Sequence, residues 1–446
     1  MIPTIHEAAE QIRTRTVTPV DLLDACLADI DRYENKVHAW VFVDRDGARA
    51  EAQRLTDEAK RGQVRGPLHG IPVGIKDIFD VSGWPTAAGS RLWANSIARK
   101  DATIVQRLRR AGAVFLGKTV TTQYASFDPS VTRNPWNLDR TPGGSSSGSA
   151  AALACGMCLG ALGSQTGGSI MRPASYCGVA GIKPTCGRVS CSGVVPLAHS
   201  MDHPGPMARC VFDLALLLQA IAGPDPNDPF CSPRAVPDYV VRLKSGGLLP
   251  RLGIVRGLFL ERADKSVQDM MDQTARTLSQ KGAKLVDLAL PASFAEVVAR
   301  HRTVMAVEAA AFHRSRFAQH PDDYTPNITA LLQEGLSCPA PDYVDCKQHQ
   351  RQLSQEMESL LREVDALLVP ATTSPPPDAA TTGDPAFNSP WSYVGFPTVS
   401  FPSAWTPDGL PLAIQLVGSP WSEAELLAVA AWCEEKLGVE KREPLL

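Results

Sequence analysis

The 446-residue sequence predicts an α/β protein on three observations. Short apolar runs alternate with amphipathic helical patterns, and residues 252–255, 264–280 and 284–288 form one β-α-β unit whose helix is closed by Gly282. Hydrophobic residues make up 44% of the chain and charged residues 20%, globular proportions that exclude disordered, collagen-like and fibrous chains. There is no internal repeat and no heptad array, which removes solenoids and coiled coils. At about 150 residues per domain the length admits up to about three domains, yet large α/β enzymes exceed that figure in one piece.

From the amino terminus, Thr4 and Glu7 form a capping box for a first helix. Thr18-Pro19-Val20-Asp21 supplies an N-cap, a proline at the first helical position and a first-turn acid for a second helix, in which Val20, Leu23, Leu27 and Ile30 make one apolar stripe. Residues 45–60, rich in Ala, Arg and Glu, read as a solvated outer helix. Residues 68–79 read as a short buried strand or strand end, 101–112 as a helix capped by Asp101 and ended by Gly112, and 113–116 as the next buried strand. The stretch 143–187 holds 11 of the 34 glycines, a density that predicts close backbone packing. Further along, the Pro-rich 225–237 reads as an exposed connection, 293–318 and 341–363 as helices, and 364–369 as a buried strand. Residues 371–396 read as a long loop rich in Pro and aromatics, and 397–402 and 410–418 as hairpin arms around Thr406-Pro407-Asp408-Gly409.

Lys and Arg number 44 against 47 Asp and Glu, a net charge of −3. That leaves no broad positive field for a polyanion, so nucleic acid and anionic membrane are not expected partners. The longest stretch without Asp, Glu, Lys or Arg, 141–171, has an apolar heart over 150–162 that is shorter than the roughly 20 residues of a membrane span. Glu7, Glu10 and Arg13 interrupt the apolar run a secretory signal needs. Eleven Cys are too few for a disulfide scaffold and odd in number. A reducing, cytoplasmic compartment is expected.

Several motifs invite readings that their context denies. Gly112-Ala113-Val114-Phe115-Leu116-Gly117-Lys118-Thr119 matches the phosphate-loop pattern letter for letter, but a helix precedes it and its internal residues read as a strand. A phosphate loop needs the strand before it and a helix beginning at the lysine. Gly144-Ser145-Ser146-Ser147-Gly148 matches the G-x-S-x-G elbow, but loop precedes it and no His occurs in the 97 residues after His349. Cys155-Gly156-Met157-Cys158 has redox or zinc spacing without a second pair or a neighbouring His, and reads as small residues buried on a helix, with Gly156 and Gly160 for close helix packing. The nine His include no H-E-x-x-H motif, which disfavours a metal hydrolase; no metal and no cofactor are expected.

What remains is Lys76 in apolar surroundings, the Gly-Gly-Ser-Ser-Ser-Gly-Ser run over 143–149, and Gln165-Thr166-Gly167-Gly168-Ser169. The Gly/Ser run leads straight into Ala150-Ala151-Ala152-Leu153-Ala154, so it opens a tightly packed helix and makes an anion-friendly turn. In this order, with 69 residues from Lys76 to Ser145 and 24 from Ser145 to Ser169, the three features resemble the amidase signature family of Ser/Ser/Lys amide hydrolases. The resemblance continues through Tyr176-Cys177-Gly178-Val179-Ala180-Gly181-Ile182-Lys183-Pro184-Thr185 and Asp202-His203-Pro204-Gly205-Pro206-Met207-Ala208-Arg209, and more loosely to Gly418. It implies one domain over 1–446, with N-terminal helices over 1–66, a signature core over 67–229 and the rest of the same fold over 230–446. The implied architecture is a single large twisted mixed β-sheet surrounded by helices.

By this resemblance Ser169 is the acyl-forming nucleophile, Ser145 the bridging serine that relays its proton, and Lys76 the base. It further implies a cis Gly144–Ser145 peptide and an oxyanion hole of N–H groups at Thr166, Gly167, Gly168 and Ser169. The chemistry needs each part. A hydroxyl is too weakly acidic to attack an amide unaided, and lysine serves as base only when an apolar pocket lowers its pKa from about 10.4. Ile75, Ile78 and Phe79 offer that pocket, although Asp77 would oppose the shift if it pointed inward. Each oxyanion donor is worth about 3 kcal/mol of barrier.

Two departures from the commoner family pattern stand out: Gln165 where many members carry Asp, and an Arg three residues after the nucleophile, Arg172, in place of two. They resemble small bacterial amidases of the malonamidase, aryl-acylamidase and urethanase kind more than the amidotransferase subunit that supplies ammonia on glutaminyl-tRNA. Gln165, Arg172, Trp391 and Tyr393 are candidate substrate contacts. Arg172 fits either a carboxylate clamp or a structural ion pair; Trp391 and Tyr393, with Phe387 and Phe396, fit either an apolar acyl pocket or core. The expected activity is hydrolysis of C–N bonds in small amides, including anilides and carbamates (urethanes), by a monomer or homodimer acting on a small-molecule substrate. The rival readings are an ammonia-donating amidotransferase component that works on aminoacyl-tRNA and a nucleotide-binding protein that uses Lys118.

Overall fold

Eleven strands lie side by side in one sheet in the computed structural model, which describes residues 2–244, 249–255 and 257–446. In chain order they are β1 (Trp40–Val43), β2 (Pro72–Lys76), β3 (Val114–Thr119), β4 (Gly160–Gln165), β5 (Ala180–Lys183), β6 (His203–Ala208), β7 (Arg251–Val255), β8 (Lys284–Leu288), β9 (Ala366–Pro370), β10 (Thr398–Trp405) and β11 (Pro411–Val417). Across the sheet the order is β1-β3-β2-β4-β6-β5-β10-β11-β9-β7-β8. The pairing is mixed. β2 runs parallel to β3 and β4, and β7 to β8 and β9, while β6, β5, β10 and β11 are antiparallel to both neighbours. Every residue of β2, β3, β4 and β9 is buried, as expected where crossover helices cover both faces of a sheet.

The local signals that are strongest in the sequence appear where expected. Capping boxes open the helices Ile5–Arg13 and Pro19–Val37, and Leu23, Leu27 and Ile30 of the second are buried. Asp264 caps Lys265–Gln280 by accepting from Val267 N, which completes the β7–helix–β8 unit. The hairpin of β10 and β11 closes with Thr406 N donating to Leu410 O at 2.8 Å.

Other elements differ for physical reasons. Asp101 does not cap Thr103–Arg110; its carboxylate accepts from Ser82 N at 2.8 Å and pairs with Arg109 at 2.9 Å. The helix Arg45–Lys60 is solvated on one face only, since Ala48, Ala52, Leu55 and Ala59 are buried on the other. The Cys155–Cys158 stretch is a turn, because Gly156 at φ +72° ends the helix Ser147–Ala154 and sends the chain into β4, which begins at Gly160. The long loop contains the short helix Ser389–Tyr393, and Pro326–Ser337 forms a helix between Val297–Gln319 and Ala340–Leu361. Among the described residues no helix is long and apolar enough to cross a membrane.

Candidate active site

β2 and β4 are adjacent and parallel, with Ile75 opposite Leu162, so their carboxyl ends bring Lys76 and Ser164 to one point. That is the edge of an open α/β sheet where ligand sites gather. Lys76 Nζ lies 2.7 Å from Ser145 Oγ, 2.8 Å from Ser164 Oγ and 3.0 Å from Ser146 Oγ. The side chain is fully buried, and burial drives its pKa well below the ordinary lysine range, opposed by the charge of Asp202. Asp77 does not enter this balance. It turns to Lys118 at 2.8 Å, and Lys118 also donates to Pro85 O at 3.0 Å. Lys118 therefore sits inside β3 with its ammonium committed, at neither a helix start nor an open loop, so the phosphate-loop reading is overturned.

The Gly144–Ser145 peptide is cis. Its neighbourhood is tied to the turn 166–170 that follows β4, since Ser146 N donates to Ser169 O at 3.3 Å. Ser169 is 7% exposed, and its hydroxyl has no hydrogen-bond partner among the described residues. The N–H groups of residues 166–169 likewise donate to no acceptor among the described residues. Four consecutive unpaired donors beside a free hydroxyl are unusual in so buried a place. Unpaired donors of this kind can receive a negatively charged oxygen.

Residues 21–427 match the family profile described as Amidase. The chain belongs to the amidase signature family. It is 36% identical to an amidase from Pseudomonas putida, covering 99% of this chain and 98% of that protein. It is 35% identical to a glutamyl-tRNA(Gln) amidotransferase subunit of Syntrophus aciditrophicus (strain SB), covering 99% of each. Among solved structures, that of the peptide amidase PAM in complex with the competitive inhibitor chymostatin superposes with a TM-score of 0.88 at 30% identity, covering 99% of each chain. Hydrolysis of amide C–N bonds is the chemistry of this family.

In this amidase family member Gln165 and Arg172 brace the two turns. Gln165 Oε1 accepts from Ile170 N at 2.9 Å and Met171 N at 3.0 Å, and its Nε2 donates to Ser392 Oγ at 3.2 Å. Thr166 Oγ1 donates to Asp202, whose carboxylate also accepts from Leu197 N and Ala198 N; burial raises Asp202 to about 6. Arg172 is buried and donates through Nη2 to Gly144 O at 2.9 Å and through Nη1 to Gly383 O at 2.7 Å. Both terminal nitrogens are thus spent on main-chain carbonyls, the geometry of a structural role and not of an open carboxylate clamp. Among the described residues Trp391 and Tyr393 make no hydrogen bond to Lys76, Ser145 or Ser169. Trp391 stacks on Phe259 at 5.9 Å between ring centroids, with Phe294 beside it, and the Tyr393 hydroxyl donates to Cys346 O. Both belong to the core.

Sequence reasoning missed Ser164, His301, Asn388 and Ser392, because a lone Ser, Asn or His carries no motif. Asn388 shows how tightly the turn is packed: a Cβ on Gly168 would lie 2.7 Å from Asn388 Oδ1, and Asn388 Nδ2 is held by Ala371 O at 2.9 Å. Gly168→Ala is expected to lower kcat by at least about 100-fold through a displaced oxyanion donor, and stability by about 1–3 kcal/mol through overpacking. Steady-state kinetics and urea melts check both, and parental kinetics would show that the turn has room.

Among the described residues the structure also gathers one set of potential metal ligands that spacing did not reveal. His6, Cys210 and Asp213 meet between the helices Ile5–Arg13 and Val211–Ile221. Asp213 there accepts from Ile5 N at 2.7 Å, His6 N at 3.0 Å and His6 Nδ1 at 2.9 Å, which makes it a helix cap. All eleven Cys are free thiols.

Proposed function

We propose that this chain is a stand-alone serine amidase working through an acyl-enzyme on Ser169. The observation that carries the reading is a buried, charge-disfavoured Lys76 2.7 Å from Ser145, in a cis loop tied to the turn that bears Ser169 and four unpaired N–H groups. Ser169 Oγ attacks the carbonyl carbon while its proton passes to Ser145 Oγ and that of Ser145 passes to neutral Lys76 Nζ. The N–H groups of Thr166, Gly167, Gly168 and Ser169 receive the oxyanion. Lys76 then returns the proton through Ser145 to the leaving nitrogen, the amine departs, and water cleaves the ester by the same relay to free the acid and Ser169.

Lys76, Arg172 and Asp202 are committed to partners inside the protein, which favours neutral substrates: small amides, anilides and carbamates. The direct test is release of 4-nitroaniline from 4-nitroacetanilide, with mass spectrometry for a Ser169-linked acetyl group. Release without that adduct on a quenched sample would remove the acyl-enzyme. Ser145→Ala is expected to lower kcat by about 10²–10⁴-fold and leave a measurable remainder, as loss of a proton relay does; unchanged kcat in that variant would remove Ser145 from the relay.

A second reading, an ammonia-donating component of an amidotransferase, is favoured by the 35% identity to the Syntrophus protein. Under that reading the purified chain is idle on anilides and releases ammonia from glutamine only when partner proteins are added.

A further inference from the structure

We infer that His301 and Ser392, from helices outside the serine- and lysine-bearing motifs, are positioning residues that aim and polarise the oxyanion donors; this rests on the proposed acylation of Ser169. Each peptide unit of the turn is held by its carbonyl. Thr166 O accepts from His301 Nε2 at 2.8 Å, Gly167 O from Ser392 Oγ at 3.2 Å, and Gly168 O from Arg172 N at 2.9 Å. These units are trans, so each N–H points away from its own carbonyl. Fixing the three oxygens on the protein side therefore leaves the N–H groups of Gly167, Gly168 and Ser169 directed the other way. A hydrogen bond to a peptide carbonyl also polarises the amide and strengthens its N–H as a donor.

The proton positions in this brace follow from the partners. A carbonyl only accepts, so Nε2 of His301 carries the hydrogen. The ring is buried in the helix Val297–Gln319, where burial lowers its pKa to about 4, so it is neutral near pH 7. Gln165 Nε2 only donates, so Ser392 Oγ accepts from it and its single proton goes to Gly167 O. A carboxylate at position 165, as in many family members, has no hydrogen to give and would compete for the Ser392 proton. In this chain the amide of Gln165 and the hydroxyl of Ser392 therefore act as one unit.

The test compares His301→Leu, His301→Gln and Ser392→Ala with the parent on 4-nitroacetanilide, and measures inhibition by a phenyl trifluoromethyl ketone, whose adduct with a serine places an oxyanion in the hole. His301→Leu is expected to lower kcat about 10- to 100-fold with KM within threefold, and to weaken the ketone by the same factor. His301→Gln, which restores an N–H at similar reach, is expected to recover kcat to within about fivefold of the parent. Ser392→Ala, a small change that leaves the fold intact, is expected to lower kcat about tenfold with the same signature in ketone binding. Parental kcat in both His301→Leu and Ser392→Ala overturns the inference. So does a loss that His301→Gln fails to restore, or a loss of kcat with unchanged ketone affinity. Ser169→Ala separates the two levels: activity retained there removes the acylation reading itself, whereas an inactive Ser169→Ala beside fully active His301→Leu and Ser392→Ala proteins removes only the positioning role.

Discussion

Alanine at position 169 abolishes turnover of amides, anilides and carbamates alike, with kcat lowered by at least about 10⁴-fold; losing the nucleophile of a serine triad costs up to about 10⁶. The hydroxyl is the only part of the side chain removed, and it has no partner among the described residues. Nothing buried is left unsatisfied, so the thermal midpoint stays within a few degrees of the parent. Progress curves with 4-nitroacetanilide and a circular-dichroism melt on the same preparation check both halves. Full turnover in a folded Ser169→Ala protein would mean that another group attacks the carbonyl.

Lys76→Met also abolishes turnover. The methionine keeps the buried volume but gives up the bonds from Nζ to Ser145, Ser164 and Ser146 Oγ; of these hydroxyls only that of Ser146 keeps another partner among the described residues, Ser164 N at 3.3 Å. The sign of the pH dependence follows. In the unfolded chain Lys76 titrates near 10.4, and in the folded protein well below that. Between the two values the unfolded state holds the extra proton, so folding stability rises with pH across that window. The parent accordingly gains stability relative to the Lys76→Met variant as the pH rises through that window, which urea melts of both proteins across pH check. In the parent, kcat/KM is flat at high pH and falls as the pH drops through the depressed pKa of Lys76, since only the neutral amine accepts a proton. Asp202, titrating near 6, holds the Thr166 hydroxyl and adds to the acidic limb. A Lys76→Met protein with parental activity would remove Lys76 as the base.

The parts of this fold that can be read locally are those whose cause is local. A capping box at Thr4, Pro19 at a helix start and a Thr-Pro-Asp-Gly turn each satisfy or pre-set their own backbone, so their signals survive without the rest of the chain. The strands at the heart of the site carry no such signal. β4 is Gly-Ala-Leu-Gly-Ser-Gln, without alternation or branched residues, and β6 holds two prolines and a glycine. Proline and glycine within a run argue against a central strand. The glycine is required here because its neighbours press so closely that a Cβ on Gly205 would lie 2.2 Å from Ile182 O.

The same division holds in the site. Motif order and spacing single out Lys76, Ser145 and Ser169, because a proton relay needs those residue types and the two Gly-rich turns constrain the backbone around them. By itself the sequence determined the α/β class, the membership of a family of C–N hydrolases and these three candidates. Only the tertiary structure decided that Asp77 pairs with Lys118 instead of Lys76, that Arg172 grips carbonyls, that Trp391 and Tyr393 are core, and that His301 and Ser392 reach the turn. The reason is that direction and burial of a side chain depend on elements distant in the chain: His301 is 135 residues from Thr166, and Ser392 is 225 from Gly167.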